Sequence, residues 1–410
     1  MIHRLTYRKT LIVGTALAAG LAVLAGCDAE GDPGDTRRRM VTIGVDAPLT
    51  GPLAQTGMGM VNSVELAIQQ ANKTQEVPGV TFAIKALDDR AMPDQGKINA
   101  ERFVSQPDVI GIVGPLNSRV ALPMQKTLDR ADLTLVSPGN TNPALTLGPD
   151  WLSGRAERPY TSYFRTVTTD ASQGPFAAEF VYKQLDKRRV FVLDDAEAYG
   201  LGLAATFKAE FTRLGGKVAG KASFNVGDRN FTALASQIAN SGAEIVFCGG
   251  AHPECGRISS QVKAVGGDIP LVGGDAMYEP AYIEVADGRA EGDFATSVGA
   301  PVDMVHSARA FVTNYKIAEY STPPGTYGGY AYDSAWAIIQ AVKSAVTHNG
   351  GTLPADARSA VSAAMPGVTF SGVTGEVSFD QYGDATDQQL TVYAVRNGEW
   401  VTLSTGIYLD

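Results

Sequence analysis

The sequence predicts an α/β protein of two doubly wound, Rossmann-like lobes. Three observations predict it. Short apolar runs alternate with helical patterns from Val41 onward, and the same rhythm restarts at Arg189. The third is length: 410 residues exceed what one hydrophobic core supports. Strand–helix–strand units at this spacing build parallel sheets with helices on both faces.

The elements follow in order. Val41–Val45 reads as a strand, and Val61–Ala71 as a helix with Val61, Val64, Leu66, Ala67 and Ile68 on its apolar face. Thr81–Leu87 is a strand ending in Asp88-Asp89. Then come a helix around Lys97–Val104, the strand Val109–Val113, a helix over Ser118–Arg130 and the strand Leu133–Val136. The second lobe repeats the pattern with strands at Arg189–Leu193, Glu244–Phe247 and Pro270–Val272 and a helix over Leu201–Leu214. Near the C-terminus, Leu390–Val395 and Trp400–Leu403 flank Asn397-Gly398. Asn-Gly at such a joint predicts a hairpin, because both turn residues need positive φ.

The N-terminus decides compartment. Arg4, Arg8 and Lys9 precede an apolar run from Leu11 to Leu24, followed by Ala25-Gly26-Cys27. The run is too short for a permanent span of about 20 residues. It has the layout of a secretory signal peptide, residues 1–26, and the cysteine directly after Leu-Ala-Gly resembles a bacterial lipobox. Cys27 would then be the first mature residue and carry acyl chains. Residues 27–40 are polar, without an apolar period, and read as a flexible tether reaching roughly 20 Å. The expected body is extracytoplasmic and lipid-anchored at the cell membrane.

Removing residues 1–26 takes three basic residues and no acid, so the net charge falls from −9 to −12. That excludes nucleic acid as a partner, since phosphate neutralisation needs clustered Lys and Arg. With Cys27 lipidated, Cys248 and Cys255 remain. Export permits a disulfide between them; two separate thiols are the alternative. Enzyme signals are poor. His252, His306 and His348 sit in no His-Glu-x-x-His motif, and there is no Gly-x-Ser-x-Gly or Walker loop. Gly57-Met58-Gly59 opens like a dinucleotide fingerprint, but Asn62 stands where its third glycine belongs. No metal or cofactor is expected.

In open α/β sheets ligands bind beyond the carboxyl ends of strands, where helix N-termini present free N–H groups. Four loops qualify: Thr50–Gly57, Gly114–Ser118, Ser137–Pro143 and Gly273–Asp275. Ser118 stands at an N-cap position and can offer hydroxyl and backbone N–H to a carboxylate. Thr141 offers the same pair, Asn140 lies beside it, and Gly139 admits close approach to the backbone. Asp275 is a lone carboxylate at a strand end. Taken singly, Ser118 and Thr141 read as helix caps and Asp275 as a turn residue; together they read as a site. Asp88-Asp89 reads as structural or interlobe rather than ligand-binding.

Through these residues the chain resembles the substrate-binding lipoproteins of branched-chain amino-acid ABC transporters, the leucine/isoleucine/valine-binding family of type I periplasmic binding proteins. The likeness runs from about Val41 to the C-terminus. It rests on the Gly51-Pro52 loop, Asp88-Asp89, Ser118, the Pro138–Pro143 turn, Gln173-Gly174-Pro175, Tyr199-Gly200 and Gly249-Gly250-x-His252-Pro253-Glu254. The resemblance implies an amino acid held between two lobes and delivered to a permease. Ser118 and Thr141 match the carboxylate-binding serine and threonine, and Gly139 the carbonyl that accepts from the ammonium. Tyr199 matches the second-lobe tyrosine. Asp275 matches the acidic residue facing the ammonium, often Glu in members that bind aliphatic amino acids.

Two departures bear on specificity: Ala251 replaces an expected aromatic and Thr56 an expected tyrosine, while Tyr327 can supply an aromatic wall. The family's first-lobe disulfide is absent, with Asn117 and Ala91 at its positions. The alternative ligand is an amide, urea or aromatic acid. The resemblance further implies three hinge crossings, expected near Phe164–Thr166, Ala295–Val298 and Gly372–Gly375. The lobes are then residues 41–165 with 297–372, and 166–296 with 373–410.

Overall fold

The computed structural model describes residues 38–302 and 304–409. The signal segment, Cys27 and nearly all of the tether lie outside them. No described helix is long and apolar enough to cross a membrane.

Five strands form the first sheet: β1 (Arg39–Ala47), β2 (Val80–Asp88), β3 (Val109–Val113), β4 (Thr134–Ser137) and β5 (Tyr163–Arg165), ordered β2-β1-β3-β4-β5 and all parallel. The second sheet holds β6 (Arg189–Asp194), β7 (Lys217–Ser223), β8 (Ile245–Gly249), β9 (Leu271–Gly273) and β10 (Phe294–Val298). Between them, β11 (Thr369–Ser371) and β12 (Glu376–Ser378) make a small hairpin. Finally, β13 (Gln389–Arg396) and β14 (Glu399–Ile407) extend the second sheet in antiparallel fashion, giving β14-β13-β10-β9-β8-β6-β7. The parallel parts share one winding: β7-β6-β8-β9-β10 repeats β2-β1-β3-β4-β5.

Burial explains the pattern. All five residues of β3 are buried, as expected for a parallel strand covered on both faces. Helices Ala54–Thr74 and Gly328–His348 cover one face of the first sheet, packing Val64, Ile68, Ile338 and Val342 against Ile43 and Val45. Helices Pro93–Val104 and Ser118–Asp129 cover the other through Phe103, Val120 and Met124. The second sheet is sandwiched likewise by two separate clusters, one around Phe207 and Phe247, the other around Ile258 and Tyr282. The Asn397-Gly398 turn has φ of 53° and 77°, and the expected antiparallel edge is present.

Two features differ from the sequence reading or settle it. Gly372–Gly375 is not a crossing. It is the turn of the β11–β12 hairpin, closed by Gly372 N–H donating to Gly375 O and pinned by Asp333, which accepts from Val373 N–H and Thr374 N–H. Val373, Val377 and Phe379 pack in the first sheet's core, so the chain passes to the second sheet only before Gln389. Cys248 and Cys255 are disulfide-bonded, joining the end of β8 to the helix His252–Ala264.

Arg165, at the end of β5, is fully buried. Its Nε donates to Asp384 Oδ1 at 2.6 Å, in the segment that leads to the second sheet, and its Nη1 donates to the carbonyls of Asn140 (2.8 Å) and Asn142 (2.9 Å). Nη2 donates to Thr146 Oγ1. Five donors in a planar fork suit this geometry; a lysine could not supply it. Arg165→Met is expected to lower unfolding free energy by about 3–5 kcal/mol, since it strands a buried carboxylate. A further Asp384→Leu should recover part of that loss. Chemical denaturation of both variants checks this; a cost below about 1 kcal/mol would show the network to be dispensable.

Candidate ligand-binding site

The repeated winding brings two switch points face to face. At such a point neighbouring loops leave the sheet in opposite directions and open a crevice. Here the loops after β1 and β3 meet those after β6 and β8, and a cavity of about 210 Å³ lies between. Direct contacts cross it. Arg119 Nη1 lies 2.9 Å from Glu197 Oε1, and Asn142 Nδ2 donates to Ala198 O. The two lobes are therefore closed on each other.

Asp275 forms the centre of the second-lobe wall. Gly274, before it, leaves no room for a side chain: a Cβ would fall 2.4 Å from Tyr199 Oη. The Asp275 carboxylate is buried and accepts from Tyr199 OH at 2.9 Å and from Tyr327 OH at 2.7 Å. Tyr199 opens the helix Ala198–Arg213; Tyr327 comes from the first lobe, before the helix Gly328–His348. Burial pushes the Asp275 carboxyl up, and the two hydroxyls oppose that shift. Both phenols are pushed up in turn by burial and by the neighbouring Asp275 charge.

Opposite stands the N-terminus of the helix Ser118–Asp129, with Ser118 buried at its first position. Its Oγ accepts a long bond, 3.4 Å, from Asn142 N–H. Gly139 lies alongside, where a Cβ would approach Leu116 Cδ1 to 2.8 Å. One wall thus offers hydroxyl and helix N–H groups to an anion, and the other a carboxylate to a cation.

Of the residues expected at the ligand, Ser118, Gly139, Tyr199, Asp275 and Tyr327 line the cavity. Thr141 is fully buried and is not among the lining residues; its hydroxyl faces the Asp170 carboxylate. Asn140 corrects the sequence reading. Its Nδ2 donates to the carbonyls of Pro115 (3.0 Å) and Leu116 (2.9 Å), and its Oδ1 accepts from Tyr163 OH. Its backbone N–H donates to Ser137 and its carbonyl accepts from Arg165. Every polar group of Asn140 is engaged within the first lobe, so it positions the turn and offers nothing to a ligand.

Two residues beside the site were not expected there, although Gln173 carries part of the family resemblance. Asp170 and Gln173 begin the helix that follows the first crossing, and both are fully buried. The Asp170 carboxylate meets the Thr141 hydroxyl and the Gln173 amide meets the Asp275 carboxylate, in contacts short of full hydrogen-bond geometry. Burial raises the Asp170 carboxyl well above its ordinary range, and the Asp275 charge raises it further. The signal was present in the polar Asp170 and Gln173, one turn apart at a helix start.

Asp88 is structural, as expected: it accepts from Leu49 N–H, Thr50 OH and Arg90 N–H and so shapes the first loop. Asp89 accepts from Ala91 N–H, beside buried Asp46, whose carboxyl Asn99 holds. Burial drives both carboxyls upward, Asp89 to about 6. A carboxyl raised on folding keeps a proton that the unfolded chain has released. Its contribution is complete below the unfolded value near 3.8 and is lost as pH rises through about 6. Asp89→Asn should therefore stabilise the fold by roughly 1–2 kcal/mol at neutral pH and by little at acid pH. Denaturation curves at the two ends of that window decide it, and an equal effect at both would refute the assignment.

Residues 40–399 match the family model described as periplasmic binding protein. The chain belongs to that family. It is 30% identical over 377 residues to Leu/Ile/Val-binding protein homolog 1 of Brucella suis, covering 92% of this chain and 93% of the relative. A Leu/Ile/Val-binding protein of Rhizobium johnstonii is 28% identical over 393 residues, covering 96% and 98%. The crystal structure of a leucine-binding protein from Thermotoga maritima superposes with a TM-score of 0.79 at 26% identity, over 90% of this chain and 99% of that one. A Streptococcus pneumoniae branched-chain amino-acid binding protein in complex with isoleucine, TM-score 0.77 at 23% identity, shares the fold over 90% and 99%. These are binding proteins, and the chain is a binding protein and not an enzyme.

Proposed function

We propose that this periplasmic binding protein is a lipid-anchored receptor that captures an α-amino acid between its lobes and delivers it to the permease of an ABC importer. One observation carries the reading: Asp275, buried and held by a tyrosine from each lobe, faces the N-terminus of the Ser118 helix across the cavity. A zwitterion needs both walls, donors for its carboxylate and acceptors for its ammonium. The relatives named Leu/Ile/Val-binding proteins support the ligand class. The Leu24-Ala25-Gly26-Cys27 sequence supports the anchor. A ligand that contacts both walls stabilises the closed form, and the closed form is what a permease can recognise.

Asp275→Asn should weaken amino-acid binding by about 100-fold, because it leaves the ammonium without a counter-charge in a buried site. The thermal midpoint of the variant should match or exceed that of the parent, since burial disfavours the lost carboxylate. Calorimetry with a panel of amino acids tests this; unchanged affinity, or binding of amides or aromatic acids alone, would overturn the reading. Cys27→Ala should release the protein from the membrane fraction, and retention after that change would remove the anchor from the proposal.

A further inference from the structure

We propose that Glu279 makes the cavity selective for an α-amino acid whose side chain carries a cation, an ammonium or guanidinium on an aliphatic stem. The inference rests on the amino-acid reading above and names the class within it. Asp275 and Glu279 both line the cavity and leave the same connection after β9, four residues apart. Tyr327 feels both charges. A ligand whose α-ammonium meets Asp275 therefore has a second carboxylate in the same closed space.

The chain does little to neutralise that carboxylate. Glu279 is 7% exposed, and among the described residues it makes no ion pair. Thr56 Oγ1 reaches its Oε1 only at 3.5 Å, the outer limit of a hydrogen bond. The neighbouring Thr326 donates its hydroxyl to Tyr278 O, and its hydroxyl and backbone N–H also stabilise the Glu279 carboxylate, but neither brings a positive charge. On its far side is Gly325, where even a Cβ would stay 3.7 Å away. Burial lifts its carboxyl to about 7.

The rest of the lining agrees. Three further carboxylates and two guanidiniums line it, and both guanidiniums are already paired, Arg119 with Glu197 and Arg90 with Asp88. His252 adds no positive charge, since burial holds it down at about 4. A cationic side chain favours the ionised form of Glu279 and pairs with it, whereas a neutral side chain gives that carboxyl no partner. Elsewhere in the lining, Leu53, Leu116 and Pro253 offer apolar surface for the methylenes of a long stem. Ala251, small where the family resemblance expects an aromatic, is part of the same lining.

The test is calorimetry on the full-length chain in detergent, freed of endogenous ligand, with L-lysine, L-arginine, L-leucine and L-glutamine. Lysine or arginine should bind at least about tenfold tighter than leucine or glutamine. Glu279→Gln should erase that preference while leaving leucine within about threefold of the parent value. Leucine or glutamine binding as tightly as both cations overturns the inference and leaves the amino-acid reading intact. Absence of binding by all four overturns the two together. The ratio in the unmodified protein decides the matter even where the variant does not fold.

Discussion

The buried guanidinium of Arg165 is the constraint on which the other features depend. It sits where the chain first leaves the first sheet, and it grips both the Ser137–Pro143 turn and Asp384, on the last passage to the second sheet. Charge in an apolar interior is tolerated only when it is paired and fully hydrogen-bonded, and here every partner is part of the site's scaffold. The Asp384 charge raises the Arg165 affinity for its proton against the opposing effect of burial. One side chain therefore fixes the loop that presents Gly139 and Thr141 and anchors two of the strands between lobes. A hinge needs such an anchor, because its flexible residues must end at something rigid.

From that anchor the repeated strand order builds the cleft. Each lobe has its switch point between its first and third strands, and each presents helix N-termini there. Backbone physics supplies the positive end of both walls. The sequence adds the polarity: hydroxyls at Ser118 and Thr141 in the first lobe, carboxylates at Asp170, Asp275 and Glu279 in the second. The disulfide from Cys248 to Cys255 brackets Ala251 and His252, holding that part of the wall to the sheet.

Most of the fold was legible because parallel strands buried on two faces are continuous apolar runs, and because Asn397-Gly398 encodes its turn locally. What was not legible depends on contacts distant in sequence. β7, Lys217–Ser223, has no fully buried residue and reads as polar. Gly372–Gly375 carries turn chemistry that serves a hairpin as well as a crossing, and only Asp333, some 40 residues earlier, shows which. The strand-end positions of Ser118 and Asp275, both of which line the cavity, were readable; Thr141 shares such a position but does not line it. Asn140 was misread because its partners, Pro115, Leu116 and Tyr163, lie about 25 residues away in either direction. The Cys248–Cys255 pairing likewise needed geometry.

Closure itself follows from the placement of the acids. The contacts Tyr327–Asp275 and Arg119–Glu197 already favour the closed form without a ligand. Against them stands desolvation: the closed form buries Asp275 fully, with Asp170 close enough that its charge is felt. Two carboxylates in one dry space cannot both stay ionised cheaply, and their protons must come from solvent. An α-ammonium between the walls removes that cost. A ligand shifts an equilibrium only by its differential affinity for the two states, and here the difference is largest for a cation. The same carboxylates that would recognise the amino acid thus make closure conditional on its presence, while an anionic molecule of equal size would meet the cost in full.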